Sequence, residues 1–272
     1  MRRVRILLVA GLIAASIGSE AEAQGILSAA DKASFQRLSR SLGGANGVTV
    51  SGIGSGQKIE SAGSLKTGTA WSTIKVPIAM AVIDAGGENR HADDLTKAIT
   101  ASDNAAAERL WASLGGPETA AQATTAQLRN AGDIRTDVNA QKLLAAYTPF
   151  GQTAWALSMQ ARFAAQLPCS AAGVRVLDLM GQVVDGQRWG LGTAQEAQFK
   201  GGWGPGSTPG RESGYLDRQF GIITVRGTPL AVAIASRPAD GSHSTGTRHL
   251  SAITRWLMRN ASVKGLPAQP AC

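Results

Sequence analysis

Ser72-Thr73-Ile74-Lys75-Val76-Pro77-Ile78-Ala79-Met80-Ala81-Val82-Ile83 is the stretch on which the fold turns. The sequence turns helical here, with an apolar run from Val76 to Ile83, Ser72 at or near the N-terminus and Gly86-Gly87 closing it. Pro77 then falls in the second turn, close enough to the helix start that few intrahelical donors are lost. Serine and lysine three positions apart on a helix share a face, which lets the Lys75 amine reach the Ser72 hydroxyl.

Upstream of this stretch, residues 26–42 carry apolar side chains at helical spacing and stop at Gly43-Gly44. Residues 48–53 alternate between glycines and read as a strand, which pairs with a second short strand at 58–62 across Gly54-Ser55-Gly56. Downstream, helices are expected over 92–101, 105–114, 119–130, 140–147 and 153–167. The character then changes to strands at 197–203, 220–226 and 230–236, with Arg226-Gly227-Thr228-Pro229 as a turn, and a closing amphipathic helix at 246–260. Strands at both ends around a helical middle imply an α+β fold: an antiparallel sheet assembled from both termini, flanked by helices and carrying an inserted all-helical lobe. On this reading residues 24–71 and 195–272 make an α/β subdomain and residues 72–194 a helical one.

Three short motifs stand in order: Ser72-Thr73-Ile74-Lys75, Ser102-Asp103-Asn104 and Lys200-Gly201-Gly202. A Ser-x-x-Lys pattern arises about once by chance in a chain of this length, so weight falls on the rarer Ser-Asp-Asn and on the order of the three. Each residue also has a structural reading. Ser72 and Ser102 could be helix caps, Asp103 a loop brace and Lys200 a solvated strand residue.

The set resembles the serine β-lactamases and penicillin-binding D,D-peptidases, whose signature is S-x-x-K, S-D-N and K-T-G. The likeness extends over most of the chain after residue 23 and includes Ala98-Ile99-Thr100-Ala101-Ser102-Asp103-Asn104-Ala105-Ala106-Ala107 and Leu114-Gly115-Gly116-Pro117, which look like class A enzymes. It implies Ser72 as the nucleophile of an acyl-enzyme and Lys75 as its base. Burial and a second cation, Lys200, would push the Lys75 amine toward its neutral form. Ser102 would relay a proton to the leaving group and Asn104 would hold a substrate amide. The backbone N–H groups of Ser72 and of Trp203, just past Gly202, would form the oxyanion hole. Arg218 resembles the arginine that binds a substrate carboxylate in class A enzymes, with Arg211 as its rival. For Asp103 the loop-bracing role is the expected one.

Two departures from the pattern matter. Gly201 stands where the family has a hydroxyl residue, with Ser207 or Thr208 as the nearby substitutes. The Glu-x-x-Leu-Asn loop that supplies the deacylating glutamate in class A enzymes has no counterpart, since residues 132–138 run directly into the expected 140–147 helix. Asp137 or Glu118 could replace the missing base, though no spacing singles out either. The resemblance therefore implies a serine hydrolase or acyltransferase on a cell-wall peptide-type amide or ester, with slow deacylation. A divergent β-lactamase and a non-catalytic envelope binding protein are the alternatives.

The chain's ends speak to location. Arg2, Arg3 and Arg5, an apolar run over 6–17 and Ala21-Glu22-Ala23 read as a secretory signal cut before Gln24, after which no segment is apolar enough to span a bilayer. The remainder is basic, about +7 against +8 for the whole chain, and suits a polyanionic envelope. Nucleic acid is disfavoured because no run of Lys and Arg is interleaved with aromatics. Cys169 and Cys272 suggest one disulfide in an oxidising compartment, with free thiols or an interchain bond as the other possibilities. His91, His243 and His249 show no metal-ligand spacing with either cysteine, and no cofactor is implied. The expected ligand is a peptidoglycan-type peptide or a β-lactam-like small molecule; nothing sets the oligomeric state.

Overall fold

The computed structural model describes residues 25–206, 214–267 and 272. The leader-like segment 1–23, and with it Ser207, Thr208 and Arg211, lies outside the described residues. Seven strands and eight α-helices are present among them: α1 (Ala29–Leu42), β1 (Ala45–Ser51), β2 (Ile59–Gly63), β3 (Thr67–Thr69), α2 (Lys75–Asp84), α3 (Ala92–Thr100), α4 (Asn104–Ser113), α5 (Pro117–Asn130), β4 (Ala154–Ala156), α6 (Leu157–Gln166), α7 (Ala171–Met180), β5 (Gln198–Pro205), β6 (Tyr215–Val225), β7 (Thr228–Arg237) and α8 (His243–Asn260).

Five strands form one antiparallel sheet in the order β2-β1-β7-β6-β5, so the two N-terminal strands join the three C-terminal ones through β1 against β7. The expected α+β fold is the one observed. Alternation along β7 separates two cores: Leu230, Val232 and Ile234 face α1 and α8, where Phe35, Ile253, Trp256 and Leu257 pack, while Ala231, Ala233 and Ala235 face the helical lobe. The methyl side chains on that second face let α6 lie close against β7 and β1.

α2 is the axis of the helical lobe. Every residue from Lys75 to Val82 is buried, as expected of a helix packed on all sides. The structure shifts its start: Trp71–Ile74 forms a 3-10 turn and the α-helix begins only at Lys75, so Pro77 falls in the first α-turn, where its missing N–H has no intrahelical partner to lose.

The expected 140–147 helix is absent. Residues 131–149 form an irregular loop even though Ala140-Gln141-Lys142-Leu143-Leu144-Ala145-Ala146 is made of good helix formers. The buried Gln152 side chain takes the backbone groups that a helix would need, accepting from Leu144 N at 2.5 Å and donating to the carbonyls of Leu144, Tyr147 and Thr148 at 3.0–3.2 Å. Asp133 fixes the loop's start by accepting from Arg135 N, Thr136 N and Trp155 Nε1. The expected 153–167 helix likewise begins as the short strand β4, which pairs with β3. Neither β3 nor α7 was expected from the sequence.

Cys169 and Cys272 form a disulfide across 103 residues, as read from their number and the compartment. No helix among the described residues is long and apolar enough to cross a membrane. In the chain-entropy account, closing a loop of about 100 residues contributes about 4–5 kcal/mol, and less where the unfolded chain keeps structure. The C169S/C272S double variant is therefore expected to unfold at lower denaturant concentration, with a loss of about 2–5 kcal/mol. Equilibrium unfolding is the measurement, with the m-value expected to rise as the unfolded chain loses its cross-link.

Candidate active site

The three motifs converge from three elements: Ser72 from the 3-10 turn ahead of α2, Ser102-Asp103-Asn104 from the α3–α4 connection, and Lys200-Gly201-Gly202 from β5 at the edge of the sheet. They open on a cleft of about 260 Å³ lined by Ser72, Lys75, Asn104, Glu108, Tyr147 and Trp203, among others. Among the described residues, two of the four non-glycines with positive φ lie here, Trp71 at 49° and Ser102 at 60°. Such backbone costs on the order of 1–3 kcal/mol at each position and persists where the surroundings over-determine it.

The surroundings of Ser102 are specific. Lys75 Nζ, 2 % exposed, donates to Ser102 O at 2.6 Å, Asp103 O at 3.2 Å and Asn104 Oδ1 at 2.7 Å, with Ser102 Oγ at 3.4 Å. Lys200 Nζ, 1 % exposed, donates to the same Ser102 Oγ at 2.8 Å and to Gly201 O at 3.0 Å. Two buried amines thus share one hydroxyl. Ser102 Oγ lies between them, and Asn104 spends its side-chain oxygen on Lys75. The Ser72 hydroxyl is half-buried and makes no hydrogen bond to a described residue, so the resting Lys75 amine sits on the second motif rather than on Ser72.

Burial lowers Lys75 to about 8, against the opposing pull of the Asp103 and Glu108 charges. Burial, and secondly the Lys75 charge, hold Lys200 well below the ordinary lysine range.

Asp103 has the bracing role expected of it, capping α4 by accepting from Ala106 N at 2.7 Å. Gly202 explains why the third motif ends as it does. A Cβ there would lie 2.8 Å from Ala70 O and 2.9 Å from both Ser72 N and Thr73 N, all backbone atoms that cannot yield. Only glycine lets β5 press against the turn that holds Ser72, with Ser72 and Trp203 both lining the cleft. The Trp203 ring itself points to the opposite face of β5, where it stacks on His243 at 5.3 Å between centroids. Gly201 lies across from Gln219 on that same opposite face, so a hydroxyl side chain at this position would not point at the Lys200 side of the strand.

Arg218 is the correction among the site residues. It does not line the cleft; it lies beneath the nucleophile turn, 1 % exposed. Its guanidinium donates to Gly68 O at 2.7 Å, Thr69 O at 3.0 Å, Trp155 O at 2.9 Å and Gln160 Oε1 at 2.5 and 3.2 Å. Burial lowers it to about 9. Gln160 Nε2 passes the contact on to Thr73 Oγ1 at 2.9 Å, and Thr73 Oγ1 donates to Ala70 O. The residue faces the right side of the sheet, since Arg218 pairs with Gly202, but the β3–β4 pair fills the space between it and solvent.

Glu108 is the cleft residue that the sequence reading missed. It lies one helical turn after Asn104 on α4, so the i, i+4 relation to a motif residue was the available signal. The wall opposite β5 comes from the 131–149 loop, through Lys142, Ala146, Tyr147 and Thr148, and the Tyr147 ring meets Trp71 edge-on at 5.0 Å.

Two substitutions separate these roles. Arg218→Ala strands three buried carbonyls and is expected to cost at least about 3 kcal/mol, or roughly 10 °C of melting temperature for a chain of this size. A substrate-binding arginine would instead spare stability and raise KM. Gly202→Ala is expected to push β5 away from the turn that holds Ser72 at some cost in melting temperature and, on the expectation that the Ser72 and Trp203 N–H groups form an oxyanion hole, to slow the reaction of Ser72 with acylating probes about 10²-fold. Melting curves and adduct kinetics measure both.

No protein-family model and no curated protein matches this chain. Solved structures do. A class A β-lactamase from Mycobacterium abscessus superposes with a TM-score of 0.63 at 17 % identity, over 84 % of this chain and 98 % of that one. A β-lactamase from Xanthomonas campestris gives 0.58 at 19 % identity, over 84 % and 97 %. An ancestral class A β-lactamase gives 0.58 at 20 % identity, over 83 % and 99 %. The five-stranded antiparallel sheet, the buried central helix and these superpositions over nearly the whole length of the neighbours agree: the chain has the fold of the class A β-lactamases.

Proposed function

We propose that the protein is an exported serine hydrolase or acyltransferase that forms an acyl-enzyme on Ser72 with an amide or ester of cell-wall peptide type. The observation that carries this reading is the sharing of the Ser102 hydroxyl by two buried amines, Lys75 and Lys200, at the edge of the cleft that holds Ser72. Structural lysines are seldom arranged so, because burying two like charges around one hydroxyl raises the energy of the doubly protonated state.

In the proposed step, neutral Lys75 accepts the Ser72 proton as Oγ attacks the carbonyl carbon. Hydrogen bonds of this kind tighten once substrate is bound, so the resting position of Lys75 on Ser102 and Asn104 supports storage of the amine between turnovers. Charge on the carbonyl oxygen is received by the Ser72 and Trp203 N–H groups. The proton then passes from Lys75 through Ser102 Oγ to the leaving nitrogen or oxygen, and the carbon–leaving-group bond breaks. Asn104 Nδ2 holds a substrate carbonyl. The leader-like start, the disulfide and the basic charge support an envelope location.

β-Lactam hydrolysis is the second reading, favoured by the solved neighbours, which are described as class A β-lactamases. A binding protein without chemistry is the reading from a different class.

Intact-mass measurement after incubation with a β-lactam and with an activated ester tests all three. An adduct absent from Ser72→Ala is expected. Because Lys75 is brought to about 8 and acts in its neutral form, adduct formation should rise about tenfold per pH unit below pH 8 and level off above it. No adduct with any probe on folded protein would leave only the binding reading.

A further inference from the structure

The acyl-enzyme needs a water-activating group if it is to be hydrolysed, and the carboxylates that the sequence put forward are engaged elsewhere. Glu118 accepts from Gln141 Nε2 at 2.6 Å, and Asp137 pairs with Arg129. Asp133 is spent on two backbone N–H groups and the Trp155 indole, and Asp103 caps α4. Among the described residues that line the cleft, Glu108 is the one carboxylate.

Its setting fits the task. Glu108 projects from the same face of α4 as Asn104, whose side chain is bonded to Lys75, so the helix that positions the second motif also presents this carboxylate to the Ser72 cleft. It is exposed and makes no hydrogen bond or ion pair with a described residue, which leaves both oxygens open to water. Its charge is felt at the Lys75 amine.

We propose that Glu108 is the general base that activates water for breakdown of the Ser72 acyl-enzyme, in place of the loop carboxylate that the sequence lacks. The inference rests on the acyl-enzyme reading above. Glu108 takes one proton from water as the water oxygen bonds to the acyl carbon. The tetrahedral oxyanion collapses, the bond from carbon to Ser72 Oγ breaks, and the proton returns to Oγ. The product is a carboxylic acid, with the Ser72 hydroxyl and the Glu108 carboxylate regenerated. The protein is thereby assigned to hydrolysis, with water rather than an amine as the final acceptor.

Glu108→Gln keeps the shape of an exposed helix residue and is compared with wild type and with Glu118→Gln, using a chromogenic β-lactam and an activated ester. Expected is a Ser72 adduct that persists at least about 10²-fold longer in Glu108→Gln, with acylation within about threefold of wild type. Its deacylation should also lose the solvent deuterium isotope effect seen in wild type. Glu118→Gln should match wild type, and melting temperatures should agree across the set. Equal adduct lifetimes in wild type and Glu108→Gln overturn the proposal while leaving the acyl-enzyme standing. Equal slowing of acylation and deacylation also overturns it, since that assigns Glu108 to setting the charge on Lys75. If no Ser72 adduct forms and no probe is hydrolysed in wild type, the acyl-enzyme reading itself fails and Glu108 falls with it.

Discussion

The buried Arg218 guanidinium is the contact on which the site is built. It sits where the sheet, the β3–β4 pair and α6 meet, and its neighbours answer its charge with three backbone carbonyls and one amide oxygen rather than with a carboxylate. A buried cation without a counter-ion is tolerated only when every donor is occupied, because its desolvation is otherwise uncompensated. That requirement makes the arrangement stiff. Moving β3, β4 or Gln160 leaves a charged donor unpaired, and Gln160 carries the constraint to Thr73 and so to the turn holding Ser72.

On top of this base, Gly202 sets the distance between β5 and the nucleophile turn, and the two amines set the electrostatics. Lys75 and Lys200 are both nearly inaccessible and both near Ser102, so the low dielectric that weakens each proton's hold also strengthens their mutual repulsion. The pair is kept from simple collapse by geometry. Lys75 has carbonyl oxygens of the second motif and the Asn104 amide for its protons, while Lys200 has Ser102 Oγ and one carbonyl. Local strain at Trp71 and Ser102 is consistent with backbone held where the chemistry needs it rather than where it would relax.

Much of this was legible in the sequence. Alternation marked the strands of the large sheet, glycine pairs marked the ends of the first two helices, and the three motifs brought Ser72, Lys75, Ser102, Asn104, Lys200, Gly202 and Trp203 together as a set. The errors have physical causes. Residues 140–147 have helical composition, but Gln152, which is distant enough to be invisible to local pattern, claims their backbone groups. Arg218 lies on the strand and the face expected of a ligand for substrate; what hides it is the β3–β4 pair, whose three-residue strands are too short to signal themselves. Glu108 escaped notice because its one local signal, lying a helical turn after Asn104, does not say whether that face of α4 borders a cleft.

Local rules therefore determined which residues form the elements and which motifs carry reactive groups, since periodicity, caps and motif spacing are properties of neighbours along the chain. The tertiary structure alone decided the state and direction of those groups. Only packing buries Lys75 and Lys200 beside one hydroxyl, turns Arg218 inward as a brace, and leaves Glu108 as the one carboxylate among the described residues that line the cleft. The physical reason is that burial and orientation depend on atoms brought together from positions tens of residues apart. The shift of a proton or the exposure of an oxygen is fixed by those atoms and not by the sequence on either side.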